Sequence, residues 1–210
     1  MSQSPATELL RPGLLEDVSI LALLACGCDE QGPGSQATRT CTELGAAVHT
    51  CQPKTLAQPE LDAAVIDALE QTDSLDLMIL DGAGLFASNL AETGSGRAAL
   101  RACMDTAWSV TQTSVNHAFL PAEEGGRIVY LAPSPEAGEY AQAAAGALEN
   151  LARTLSIEWA RHAITTVAIA TGEESKASEV GAVVAYLASP AGAYFSGCVI
   201  DLRGAGGQAS

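Results

Sequence analysis

Two hydrophobic rhythms alternate along the chain. Short unbroken apolar runs, each bounded by glycine or polar residues, occur at 18–27 (VSILALLACG), 46–51 (AAVHTC), 75–80 (LDLMIL), 125–133 (GGRIVYLAP), 164–170 (ITTVAIA) and 196–204 (SGCVIDLRG). Such runs read as strands buried on both faces. Between them the period changes to that of a helix. Ala37, Cys41 and Leu44 share one helical face that Gly45 ends, and Leu61, Val65 and Leu69 form a second stripe. Longer helices are expected over 97–120 and 139–162, and another over 177–189 (ASEVGAVVAYLAS). The strand at 75–80 is expected to run into a glycine turn at 81–84 (DGAG). Strands that alternate with crossover helices predict an α/β, doubly wound parallel sheet in a single domain spanning 1–210. No internal repeat or linker interrupts it, and residues 1–15 and 205–210 are expected to be flexible tails.

Composition narrows this picture. Apolar residues make up 48% of the 210 positions and aromatics only 4%, so the core is built from Ala, Leu, Val and Ile. The formal net charge of -15 supplies no basic field for phosphates and argues against nucleic acid or an anionic membrane as partner. Six cysteines, at 26, 28, 41, 51, 103 and 198, match no zinc spacing. They read as reduced small hydrophobes, and no metal site is expected. The start MSQSPATELLRPG lacks the pattern of a secretory signal, and no run of 18 apolar residues exists. The expected location is the cytoplasm.

Several segments together resemble the short-chain dehydrogenase/reductase family. GGRIVYLAP is similar to the strand that carries that family's catalytic Ser. GALENLARTLSIEWARHAITTVAIATG is similar to its long helix and following strand, SEVGAVVAYLASPAGAYFSGCVIDLRGAG to its C-terminal helix and strand, and LDLMILDGAG to its Asn-Asn-Ala-Gly segment. The resemblance implies a Rossmann-like fold, a nicotinamide cofactor, and a catalytic tetrad of Asn, Ser, Tyr and Lys that moves a proton alongside the hydride.

Carried over position by position, the tetrad is vacant. The Tyr position falls on Ala141 and the Lys position on Ala145. Tyr140 is one residue early, about 100° away on a helix, and a shifted register puts the Lys on Ala144. The Ser position falls near Ala132 or Pro133, with Ser134 adjacent. The Asn position falls within 105–108, and Asn116 comes too late. The glycine-rich turn is degenerate: Gly27, Gly32 and Gly34 are one residue too widely spaced, Asp29 and Glu30 lie among them, and Pro33 removes a donor. Gln52 stands where an acid would hold the adenine ribose. One helix–strand unit after 46–51 and the substrate lid after 164–172 are reduced to short connections.

The parts best retained are those that pack subunits together in the family. Leu148, Leu151, Leu155, Trp159, Tyr194 and Phe195 are the expected interface residues. The leading expectation is therefore a non-catalytic subunit that assembles with a homologous, active, NAD(P)-dependent dehydrogenase, itself holding no cofactor. The alternatives are a divergent oxidoreductase relying on Tyr140, Ser134 or His117, and a scaffold that binds a small ligand in the old cleft.

Overall fold

The structure is a computed structural model and describes residues 10–27 and 29–204. In chain order it contains β1 (Ser19–Leu23), α1 (Pro33–Glu43), β2 (Ala47–Cys51), α2 (Glu60–Leu69), β3 (Leu77–Asp81), α3 (Gly82–Thr93), α4 (Gly96–Ser114), β4 (Gly126–Ala132), α5 (Ala141–Glu158), β5 (Ile164–Ala170), α6 (Ala177–Ala188) and β6 (Cys198–Asp201). The six strands form one sheet in the order β2-β1-β3-β4-β5-β6, every pairing parallel. The chain moves outward from β1 to β2, then crosses back to β3. This puts the topological switch point between β1 and β3, with β2 and β6 at the two edges.

Strand side chains alternate between two apolar layers, as the period of two requires. Leu21, Leu23, Met78, Leu80, Ile128 and Tyr130 pack with α2, α4 and α5 through Val65, Val110 and Leu148. Ile20, Ala22, Ile79, Val129 and Leu131 pack with α1 and α6 through Ala37, Cys41, Val180 and Val184. Both faces are thus covered, which is why the strands read as continuous apolar runs. Helices α1 and α6 approach closely at Gly181, where a β-carbon would lie 2.6 Å from Thr40 Oγ1 and 3.0 Å from the Gln36 carbonyl oxygen. At the other end of α6, the Arg127 guanidinium donates to the carbonyls of Leu187, Ala188 and Ser189 at 3.1, 2.7 and 2.7 Å. A side chain from β4 therefore satisfies the helix's last carbonyls.

Three expectations are corrected. No glycine turn follows β3, because α3 begins at once, with Asp81 as its N-cap accepting from Gly84 N at 2.9 Å. The helix expected over 97–120 is not continuous. It ends at Ser114, passes through a π turn at Val115–Phe119 and closes with Leu120–Ala122. Pro121 lacks the N–H that an α-helix would direct to the carbonyl four residues back, and Leu120 N reaches the Val115 carbonyl instead. The N-terminal stretch is not loose throughout: Leu15 is fully buried and donates its backbone N–H to the Leu44 carbonyl at 3.0 Å. Residues 1–9 and 205–210 of the expected tails lie outside the described residues. Among the described residues no helix is long and apolar enough to cross a membrane.

Gly181→Ala tests the α1–α6 contact. A methyl group against Thr40 and the Gln36 carbonyl overpacks the junction, and urea unfolding is expected to read a loss of about 1–3 kcal/mol.

Candidate functional site

In open α/β sheets, ligands bind beyond the carboxyl ends of the strands, at the switch point. Here that edge is formed by the loop after β1, the start of α3, the end of β4 and the start of α5. The loop after β1 turns at Gly27, whose φ is +69°. It then folds onto itself. Gly32 N donates to the Asp29 carbonyl at 2.9 Å, Gln31 N to Asp29 Oδ1 at 2.9 Å, and Ser35 Oγ to the Asp29 carbonyl at 2.9 Å. The Asp29 and Glu30 side chains are exposed to water. Pro33 is the first residue of α1, so that helix offers no N–H there.

Behind the loop lies a carboxylate. Asp81 is 1% exposed and packs between α1 and α3 so tightly that a methyl group at Gly34 or Gly84 would overlap it. Burial pushes its pKa up to about 6, opposed by the Gly84 N–H that it accepts. The third glycine of the loop therefore makes room for an acid of the protein's own. A carboxylate therefore stands at the first turns of two helices, and the Gln31 and Gly32 N–H groups of the loop are bonded to Asp29. Cys28 of this loop lies outside the described residues.

The positions that match the catalytic Tyr and Lys are enclosed. Ala141 is 0% and Ala145 3% exposed. Ala141 and Ala144 form a small cluster with Phe86 of α3 and Ala99 of α4, flanked by Leu90 and Leu100. The loop before α5 seals it. Gly138, at φ +148°, is where a β-carbon would come within 2.8 Å of Leu90 Cδ2, and Gly96 at the start of α4 abuts the Glu139 carbonyl. Ala132 and Pro133 are buried at the end of β4. Within 105–108, Asp105 is exposed and pairs with Arg101 at 3.3 Å, while Thr106 is buried and its hydroxyl has no partner among the described residues.

The fallback residues are not brought together as an acid–base pair. Tyr140 is the N-cap of α5 in a left-handed conformation, φ +67°, with its side chain 44% exposed. Ser134 caps the short turn Pro135–Ala137 and donates to the Glu136 carboxylate. His117 sits on the π turn and lines a surface cleft with Glu70 and Asp73 at the opposite, amino-terminal edge of the sheet. Among the described residues no group of three or more His, Cys, Asp or Glu could hold a metal. Cys41, Cys51 and Cys103 are buried free thiols, and burial pushes Cys41 and Cys103 up to about 12, the charge of Asp81 adding to the shift at Cys103.

The expected interface residues divide. Leu148 and Leu155 are 0% and 4% exposed, and Leu148 packs with strand residues in the protein's own core. They cannot also face a partner. Leu151 and Trp159 are partly buried against the same core. Tyr194 is 91% exposed, and Phe195 meets Tyr186 edge-on with ring centroids 5.8 Å apart. Ile157, two residues from both Leu155 and Trp159 and so about 200° round the helix from each, is 79% exposed on the outer face. Phe86 and Leu90, which close the cleft, are not among the residues that the sequence pattern singles out. Their spacing with Leu85 and the Asp81 cap carried the signal for α3.

Asp81 yields a signed pH prediction. Its folded pKa is raised from 3.8 to about 6. Its contribution to stability is fully present below about pH 4 and is lost as pH rises through 6, because the unfolded chain ionises first. Asp81→Asn keeps the cap acceptor and removes the charge. Its gain over the native chain is expected to be small at pH 4 and to grow to at most about 3 kcal/mol at pH 7.5, at about 1.4 kcal/mol per pKa unit. The favourable helix dipole, worth about 0.3–1 kcal/mol, subtracts only part of that gain. Thermal unfolding of both proteins between pH 4 and 8 reads the difference.

No family model matches the chain, and no curated protein matches it. Solved structures do. A citronellol catabolism dehydrogenase of Pseudomonas aeruginosa superimposes with a TM-score of 0.73 at 20% identity, over 95% of this chain and 99% of that one. A short-chain dehydrogenase from Mycobacterium smegmatis gives 0.71 at 18% identity, over 94% and 95%. An enoyl-(acyl-carrier-protein) reductase from Anaplasma phagocytophilum, solved in complex with NAD, gives 0.71 at 14% identity, over 92% and 95%. The likeness runs through the whole sheet and its helices, and the chain has the Rossmann-like fold of the short-chain dehydrogenases/reductases.

Proposed function

We propose that this chain is a non-catalytic member of the short-chain dehydrogenase/reductase fold, and that it assembles with an active, homologous, NAD(P)-dependent dehydrogenase subunit. One observation carries the first half: the position matching the catalytic Tyr is a fully buried alanine packed against Phe86, Ala99 and Ala144. An acid–base group must reach the proton it moves, and nothing reaches Ala141 without displacing that cluster. The self-bonded loop after β1 and the buried Asp81 support the absence of NAD(P) from this chain. The short connection from β5 to α6, only residues 171–176, supports the absence of a substrate lid.

The assembly half draws support from the surface. Tyr194, Ile157, Trp108 and Tyr186 are large apolar or aromatic side chains between 40% and 91% exposed, on or beside α4, α5 and α6. Gly146, in the middle of α5, has nothing within 4 Å of where its β-carbon would be. A mid-helix glycine costs about 0.5–1 kcal/mol relative to alanine. With no contact inside the chain to require it, close approach by another helix accounts for it. The dehydrogenase partner would carry the NAD(P) and the tetrad.

The purified chain is expected to give no saturable heat with NAD or NADP and no cofactor reduction with alcohols or hydroxyacyl thioesters. Co-expressed with the homologous dehydrogenase, it is expected to co-purify stoichiometrically and to raise that subunit's unfolding temperature. Turnover by the chain alone would overturn the first half. A homologous dehydrogenase that purifies without it, equally stable with and without the chain added, would overturn the second. Ala141→Tyr is expected to destabilise by about 1–3 kcal/mol and to restore no activity, also when combined with Ala145→Lys.

A further inference from the structure

The two edges of the sheet differ. An edge strand offers a row of unpaired backbone N–H and C=O groups, and proteins blunt such edges with charges, proline or a very short strand. At one edge β6 has four residues and ends on the exposed Asp201, which pairs with Arg203 at 2.7 Å. At the other edge β2 reads AVHTC, with no acid, lysine, arginine or proline.

The ladder to β1 shows which groups of β2 are open. Ala47 N donates to the Val18 carbonyl at 2.9 Å, and the Cys51 carbonyl accepts from Leu24 N at 3.0 Å. Ala47, His49 and Cys51 therefore turn their backbone groups to β1, and Val48 and Thr50 turn theirs to the free side. No described residue pairs with those N–H and C=O groups. On the α1 side of the edge runs an open groove of about 660 Å³, lined by Val48 and Thr50 and by Thr38, Arg39, Thr42 and Glu43 of α1. Arg39 and Glu43 are exposed and form no ion pair with each other or with any other described residue.

This edge is complementary to itself. An antiparallel copy of β2 that overlaps the whole strand puts Val48 opposite the copy's Thr50, Thr50 opposite its Val48, and His49 opposite its His49. Each Val48–Thr50 pair then exchanges two backbone hydrogen bonds between β-branched residues, which pack well across strands. His49 falls on the two-fold axis, in a non-hydrogen-bonded pair. The same axis, normal to the sheet, sets the two α1 helices antiparallel on one face and turns Arg39 of each toward Glu43 of the other. A shifted register leaves part of both edges unpaired. A foreign strand satisfies the backbone but not Arg39 and Glu43.

We propose that two copies of this chain form a two-fold dimer through β2, joining their six-stranded sheets into one. The contact lies at the opposite edge from β6, and it stands whether or not the chain also assembles with a dehydrogenase subunit.

Sedimentation of the full chain alone, over a concentration series at physiological salt, tests this. Each copy carries a formal charge of -15, and the Debye length of about 8 Å at that salt screens their repulsion. Reversible dimerisation is expected. Thr50→Pro removes an N–H that β1 does not use, so it is expected to keep the monomer folded and to weaken dimerisation at least about tenfold. His49→Glu sets two carboxylates opposite each other on the axis and is expected to weaken it as much. It carries the test where Thr50→Pro does not fold. His49→Cys is expected, on mild oxidation, to give a disulfide between the two copies of residue 49, read by peptide mass, because β-carbons of such a pair lie close. A monomer at every concentration, a dimer that either folded variant leaves intact, or a His49→Cys dimer without that disulfide would overturn the proposal.

Discussion

The packing of Phe86 and Ala99 on Ala141 and Ala144 sets the character of the whole carboxyl edge of the sheet. Small side chains at the start of α5 let that helix lie close to α3 and α4. Two further features follow. The chain after β3 must turn directly into a helix in order to deliver Phe86 and Leu90, which is why Asp81 is both the last strand residue and a helix cap. The loop before α5 must lie flat across the cluster, which it does through Gly138 and a left-handed Tyr140. A non-glycine residue in the left-handed region costs on the order of 1–3 kcal/mol and persists only where its surroundings hold it. Here the buried alanine next to Tyr140 and the abutment of Glu139 on Gly96 do so.

The electrostatics of the same edge point the same way. A helix N-terminus attracts anions through donors that have no partner. In this chain the Gln31 and Gly32 N–H groups turn toward Asp29, Pro33 brings none, and the Asp81 carboxylate stands next to Gly34. The exposed acids of the loop face water and cost little there. The buried one weighs more, because its charge cannot be screened. Asp81, whose burial raises its pKa to about 6, and the enclosed Ala141 both belong to a packed edge.

Most of the fold was legible in the sequence, because apolar runs and 3.6-residue stripes report burial directly. The strand ITTVAIA begins and ends where its pattern does, and Leu61, Val65 and Leu69 are all buried as their spacing requires. The burial of Ala141 and Ala145 follows from the same apolar face of α5. Two things were not legible. DGAG reads as a turn because glycine is a poor helix former, yet the Asp81 cap and the stripe of Leu85, Phe86 and Leu90 outweigh that propensity. The outward or inward direction of the α5 leucines also needed the sheet. Leu148 and Leu155 belong to the inner face and Ile157 to the outer, a distinction that apolar character alone does not make.

The most direct measurement is the stability of Phe86→Ala in urea. If Phe86 closes the cleft by packing on Ala141 and Ala144, its truncation leaves a cavity that these alanines cannot fill, and the loss is expected to be about 3–5 kcal/mol. A loss below about 1 kcal/mol, the range of surface substitutions, would mean that Phe86 borders an open cleft, and would contradict the account of a site closed by its own core.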